Sequence, residues 1–182
     1  MLESNALLLL QTACCGNRSA EDFVNTMFDV LHFFDDVSDK DTHLKNADVE
    51  QALWQALIEL PRNQFYRDYF LNLNPIVANA IQDWITANEF EERSESENEL
   101  MIAYITRSSY VTLMTEVARI CGGVALASSV AKDLRLIAHY EGFAEYKSAL
   151  ANEKKYRASD AARFEEYVCR SARHPNRRRR PI

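Results

Sequence analysis

The stretch DVLHFFDDVSDKD, residues 29 to 41, sets five aspartates and a histidine among phenylalanines and valines. At helical spacing Asn25, Asp29, His32, Asp36 and Asp39 fall on one line of i+3 and i+4 neighbours. The apolar positions Phe23, Val24, Met27, Phe28, Leu31 and Phe34 share the larger arc. Carboxylates in a line repel, and here they crowd a helix C-terminus whose dipole is already negative. Two things would compensate. One is a hard cation such as Mg²⁺, held by Asp29, Asp36 and Asp39 and bridging substrate phosphates. The other is arginines supplied by a second helix. The plain alternative is a narrow solvated face, with His32 hydrogen-bonded to Asp29 or Asp36.

Arg107 is the arginine to examine, because on its helix it falls with Leu100, Val111, Met114 and Ala118 in the middle of an apolar face. A buried guanidinium requires a carboxylate or a phosphate. The aspartate stripe is the expected supplier, either as an internal ion pair or as a site where Arg107 and a metal share a phosphate. Arg62, Asn63, Tyr66 and Arg67 form a second patch near a helix start, of the kind that holds an anion or stacks a base. Its alternative reading is that Phe65, Tyr69 and Phe70 are core and Arg67 is surface. Trp54 and Trp84, each amid aliphatic residues at helical spacing, read as core.

The elements that must position these residues are helical. The 182 residues include only four Gly and four Pro, and no alternating Val, Ile or Thr run suggests a strand. A first helix over about 3–13 ends where Gly16 takes a left-handed cap. Ser19 opens a second, running to about Ser38. Asn46 or Asp48 opens a third, which Pro61 stops and follows with a fourth. Asn74 caps and Pro75 starts another, to about Glu92. EERSESENE breaks the chain, a helix then runs to Gly122 and Gly123, and helices over about 125–139, 143–156 and 159–172 complete it. The expectation is an all-α, single-domain, non-repeating bundle of seven to nine helices over residues 1–169.

Residues 170–182 form a separate basic tail. Six of the 21 Lys and Arg residues lie there without an acid, although the whole chain has a net charge of -6. Acidic as the rest is, nucleic acid can be met only through this tail. Cys14, Cys15, Cys121 and Cys169 lack zinc-site spacing and read as free thiols. Glu3 and Gln11 spoil a secretory leader, and no run reaches the roughly 20 apolar residues of a membrane span. A cytoplasmic protein without membrane association, able to form a homodimer, is expected. Glycine-rich phosphate loops, G-x-S-x-G and H-E-x-x-H are missing from the sequence.

The succession HFFDDVSDKD, ALWQALIELPRNQFYRDYF, NPIVANAIQDW and RSSYV resembles small all-helical proteins encoded by tailed bacteriophages, over roughly residues 20–115. That resemblance implies a viral product in a bacterial cytoplasm and brings no activity with it. The functional expectation is a non-enzymatic binding protein, a phage accessory factor that engages a host protein or a phosphorylated small molecule such as a nucleotide. Arg107, Arg62, Arg67 and Tyr66 would form its ligand site. The alternatives are an Mg²⁺-dependent nucleotide phosphoanhydride hydrolase on Asp29, Asp36 and Asp39, with Arg107 as phosphate clamp, and a virion component.

Overall fold

The structure, a computed structural model, describes residues 2–39, 44–94 and 96–155. It is all-α, and no strand occurs among the described residues. Helix α1 (Leu2–Cys14) ends in a left-handed turn at Cys15 (φ 50°) and Gly16 (φ 74°), the stop that Gly16 foretold. Helix α2 (Arg18–Asp39) is capped by Asn17, whose side-chain oxygen accepts from the Ala20 amide at 3.2 Å, and not by Ser19.

Ser19 instead works across the fold. Its hydroxyl accepts from the Phe65 amide at 3.0 Å, while the Asn63 amide group donates to the Ser19 carbonyl at 2.9 Å. These bonds seat the start of α4 (Gln64–Asp68) on α2, with Asn63 capping Tyr66 at 2.9 Å. Phe23 of α2 then stacks on Tyr66, with centroids 5.2 Å apart.

Helix α3 (Asn46–Trp54) does not stop at Pro61. It passes through a π-helical turn (Gln55–Glu59) into Leu60–Arg62, and the Leu60 amide reaches back to the Gln55 carbonyl. Proline has no amide hydrogen, and its ring crowds the carbonyl four residues back, so a wider turn before it lets the helix continue. The wider turn also corrects the expectation for Trp54. Gln55 takes the buried position, and its neighbour Trp54 is rotated outward to 56% exposure, beside exposed Leu53 and Leu57.

Helix α5 (Phe70–Arg93) likewise begins before Asn74 and carries Pro75 inside it; Asn74 accepts from the Tyr66 hydroxyl at 2.9 Å instead of capping. After the expected break comes α6 (Glu97–Thr106), a tight turn over 107–109, and α7 (Tyr110–Ala138). α7 is bent at Gly123, whose φ of 83° and ψ of -177° belong to glycine alone. At Gly122 a Cβ would stand 2.9 Å from the Cys15 sulfur, so α1 approaches α7 closely there. By length and composition alone Glu97–Ala138, which takes in α6, the turn and α7, is apolar enough to cross a membrane; a third of its most apolar window is buried inside the protein.

α1 packs along α7, α5 along α6 and α7, and α2 along α3, the π turn and α4. Phe23, Leu73, Met114, Val24, Val111 and Val117 fill the core. The chain divides into two compact units after Tyr140. In the second, α8 (143–155) is described. The expected last helix, the Arg-rich tail and Cys169 lie outside the described residues.

Gly123→Ala is expected to destabilise the protein by about 1–3 kcal/mol, since alanine must be forced into the same backbone conformation. Gly142→Ala, where a Cβ meets open space at an ordinary φ, should lie within about 0.5 kcal/mol of the native protein in the same urea titration.

Candidate functional site: an apolar cavity beside a clamped arginine

The single helix expected up to Gly122 is broken over 107–109, so Arg107 lies not on a helix face with Val111 and Met114 but in the turn between α6 and α7, where it is partly buried. The carboxylate that holds it is Glu91 of α5. Nε of Arg107 bonds Oε1 of Glu91, and Nη2 bonds Oε2 at 2.6 Å, a two-point fork. Nη2 also donates to the Asn88 side-chain oxygen at 3.1 Å, and Nη1 reaches Oδ1 of Asp35 at 3.4 Å. The Glu91 side chain is only 8% exposed, against 28% for Arg107 and 38% for Asp35.

Among the described residues the expected supplier is corrected: the fork comes from Glu91, and Asp35 assists in place of Asp29 and Asp36 of the stripe. Asp35 was legible in one respect. On the α2 wheel it falls between Val24, Leu31 and Phe28, a carboxylate on the apolar arc that matches an arginine on another. Trp84 fixes it, donating from Nε1 to Oδ1 at 3.0 Å. Trp84, Asn88 and Glu91 share one face of α5 at i, i+4 and i+7, a spacing that would have announced the partner helix.

Of the other singled-out residues, His32 shares a cavity lining with Arg107, whereas Asn25, Asp29, Asp36, Arg62, Tyr66 and Arg67 do not. Asn25, Asp29 and His32 are exposed, so that length of the stripe is a solvated face. Asp29 accepts from the Gln55 amide at 2.7 Å, tying α2 to the π turn. Asp36 is half-buried, and the side chain of Asp39 lies outside the described residues. Among the described residues no group of three or more His, Cys, Asp or Glu side chains is placed to hold a metal ion. Tyr66 is core, and burial pushes its phenol up from its ordinary value, whereas Arg62 and Arg67 are exposed. The base-stacking patch is therefore not formed as expected.

The feature that the sequence reading missed is a cavity of about 820 Å³ between α1, α2, α5 and α7. Its floor is buried Leu10, Met27, Ala80, Met114 and Leu134; its rim is Leu7, His32, Phe34 and Ile81, all exposed. Arg107, Asp35 and Trp84 line it together at one side. The volume lies within the usual range for small-molecule sites, roughly 300–1,000 Å³, and such sites pair apolar walls with a few fixed polar groups. No periodicity announces a cavity, because core and cavity linings carry the same residue types.

Beside it, Ser108 and His139 are 3.0 Å apart, Oγ to Nε2. This is not a nucleophile and its base. Ser108 is 4% exposed, its hydroxyl bonds the Ile105 carbonyl at 2.8 Å, and Arg135 donates into the same oxygen. The hydroxyl proton and one lone pair are thus used, which leaves Ser108 to accept from Nε2–H of His139. Nδ1 of His139 is then a bare acceptor, buried without a partner. Burial first, and then the Arg135 charge, hold the His139 pKa below its ordinary 6.5.

No protein-family model, curated protein or solved structure matches this chain.

Two outcomes are expected. Glu91→Gln keeps the shape but removes the charge opposite Arg107, and should cost about 1–2 kcal/mol in urea denaturation, less than a fully buried pair because the guanidinium is partly exposed. For His139 the folded pKa is depressed, so its neutral-form stabilisation is complete above pH 6.5 and is lost as pH falls through the folded value. Between pH 7 and 5 the native protein should lose stability faster than His139→Gln; parallel profiles would contradict the assignment.

Proposed function

We propose that this chain is a non-enzymatic binding protein whose cavity between α1, α2, α5 and α7 receives a small molecule with an apolar body. The observation that carries this reading is the cavity of about 820 Å³, walled largely by aliphatic and aromatic side chains. Packed interiors rarely leave voids larger than a water molecule, and apolar cavities accept apolar guests readily.

Binding is favoured over phosphoanhydride hydrolysis by the placement of the polar groups. Neither Asp29 nor Asp36 lines the cavity, and Arg107 faces two carboxylates and an amide oxygen. The resemblance to small tailed-phage proteins extends the proposal to an accessory factor acting in a bacterial cytoplasm. A host protein as partner is the second reading, and it rests on a different observation. Val49, Leu53, Trp54 and Leu57 are 40–66% exposed along α3 and the π turn, an apolar face where a soluble surface is usually polar.

Thermal melting against a panel of small apolar molecules tests the first reading, since a ligand of the native state raises the melting point. At a hundred times its dissociation constant such a ligand adds about 2.7 kcal/mol, roughly 5–10 °C for a chain of this size. Ala80→Phe, which places a ring on the cavity floor, should abolish the shift. A panel with no effect would overturn the small-molecule reading. A nucleotide shift that needs Mg²⁺ and disappears in Asp36→Asn would restore the hydrolase.

A further inference from the structure

Resting on the cavity reading, we infer that the ligand carries a protonated amine head, placed against Asp35, on an apolar body. Arg107 meets two carboxylates, Glu91 and Asp35, but only Glu91 forks it. Glu91 forks the guanidinium from outside the cavity lining, whereas Asp35 belongs to that lining. The cation on the wall is therefore held from behind, and the acid on the wall touches it through one oxygen only.

The atoms of Asp35 agree. Both of its contacts, from Trp84 at 3.0 Å and from Arg107 at 3.4 Å, fall on Oδ1. Oδ2 receives neither, and an ionised carboxylate offers about four acceptor positions. The Arg107 contact is long for a charge-assisted bond, which ordinarily lies near 2.7–2.9 Å. Asp35 thus holds its place through Trp84 while keeping an oxygen for a donor in the cavity. A phosphate or carboxylate at this point would meet that oxygen as a like charge, and such juxtaposition is what excludes wrong partners from a binding site. A neutral hydroxyl would be accepted without the charge.

Three probes with one apolar body separate the head group from the cavity: octylamine, octan-1-ol and octanoate, titrated calorimetrically into the full chain at neutral pH. Octylamine should bind at least tenfold tighter than octan-1-ol, with octanoate the weakest. Decylamine should bind roughly tenfold or more tighter than octylamine, because each buried methylene contributes about fourfold. Asp35→Asn, which keeps an oxygen for Trp84, should erase the advantage of the amine and leave octan-1-ol unchanged. Octanoate binding as tightly as octylamine would overturn the amine assignment while sustaining the cavity. So would an Asp35→Asn protein that loses all three probes equally. Failure of every probe on the native chain would overturn the cavity reading beneath it. The comparison of heads on the native protein decides the matter even if the variant does not fold.

Discussion

The guanidinium of Arg107 cannot be withdrawn from water without a carboxylate, and the arrangement of three segments follows from where its partners stand. Glu91 and Asn88 hold it from α5, Asp35 approaches from α2, and Arg107 itself sits at the turn from which α7 departs. A charged fork has narrow geometric tolerance, unlike a contact between leucines, so it fixes how α5 lies against the α6–α7 turn. The cavity is the space these segments enclose beyond the fork, and its polar side is the same cluster. Under the proposed reading stability and ligand choice share residues here, and Asp35 belongs to both.

The core on the other side is built by a different device. Ser19 and Asn63 exchange hydrogen bonds across 44 residues, which sets Phe65 and Tyr66 against Phe23 and closes that end of the bundle with aromatic rings. Polar bonds supply position and apolar contact supplies the energy, a division common where short helices dock on a long one. None of these stacked rings lines the cavity, whose walls mix aliphatic side chains with the rings of Phe28, Phe34, Trp84 and Tyr110.

Much of the fold was legible in residue order because helix ends are written locally. Gly16 stopped α1, the Ser and Glu joint stopped α5, and glycine bent α7 at Gly123. Proline and asparagine misled where the backbone found another way on: a π turn carries the helix past Pro61, and Asn74 accepts from Tyr66 instead of capping a new helix at Pro75. The site shows the same boundary. That Arg107 needed an acid could be deduced from one helical wheel. That the acid is Glu91 depends on which helix packs beside it, and the conspicuous aspartate stripe drew attention to the wet side of α2 instead of Asp35 on its dry side. Volume left unfilled between helices has no signature in residue type at all.

The π turn over Gln55–Glu59 has a meaning for how such a chain can change. A π turn holds one residue more than the α-turn it replaces, so it has the form of a single-residue insertion absorbed inside a helix. The residues before it keep one angular register and those after it another. That allows Gln55 to face Asp29 and Leu60 to face the core on what remains a continuous rod. Removing one residue there would return a regular helix and force a choice between the two contacts. In evolutionary terms the turn is a place where sequence length can vary without a loop, and where a helix can acquire a second working face while keeping its first.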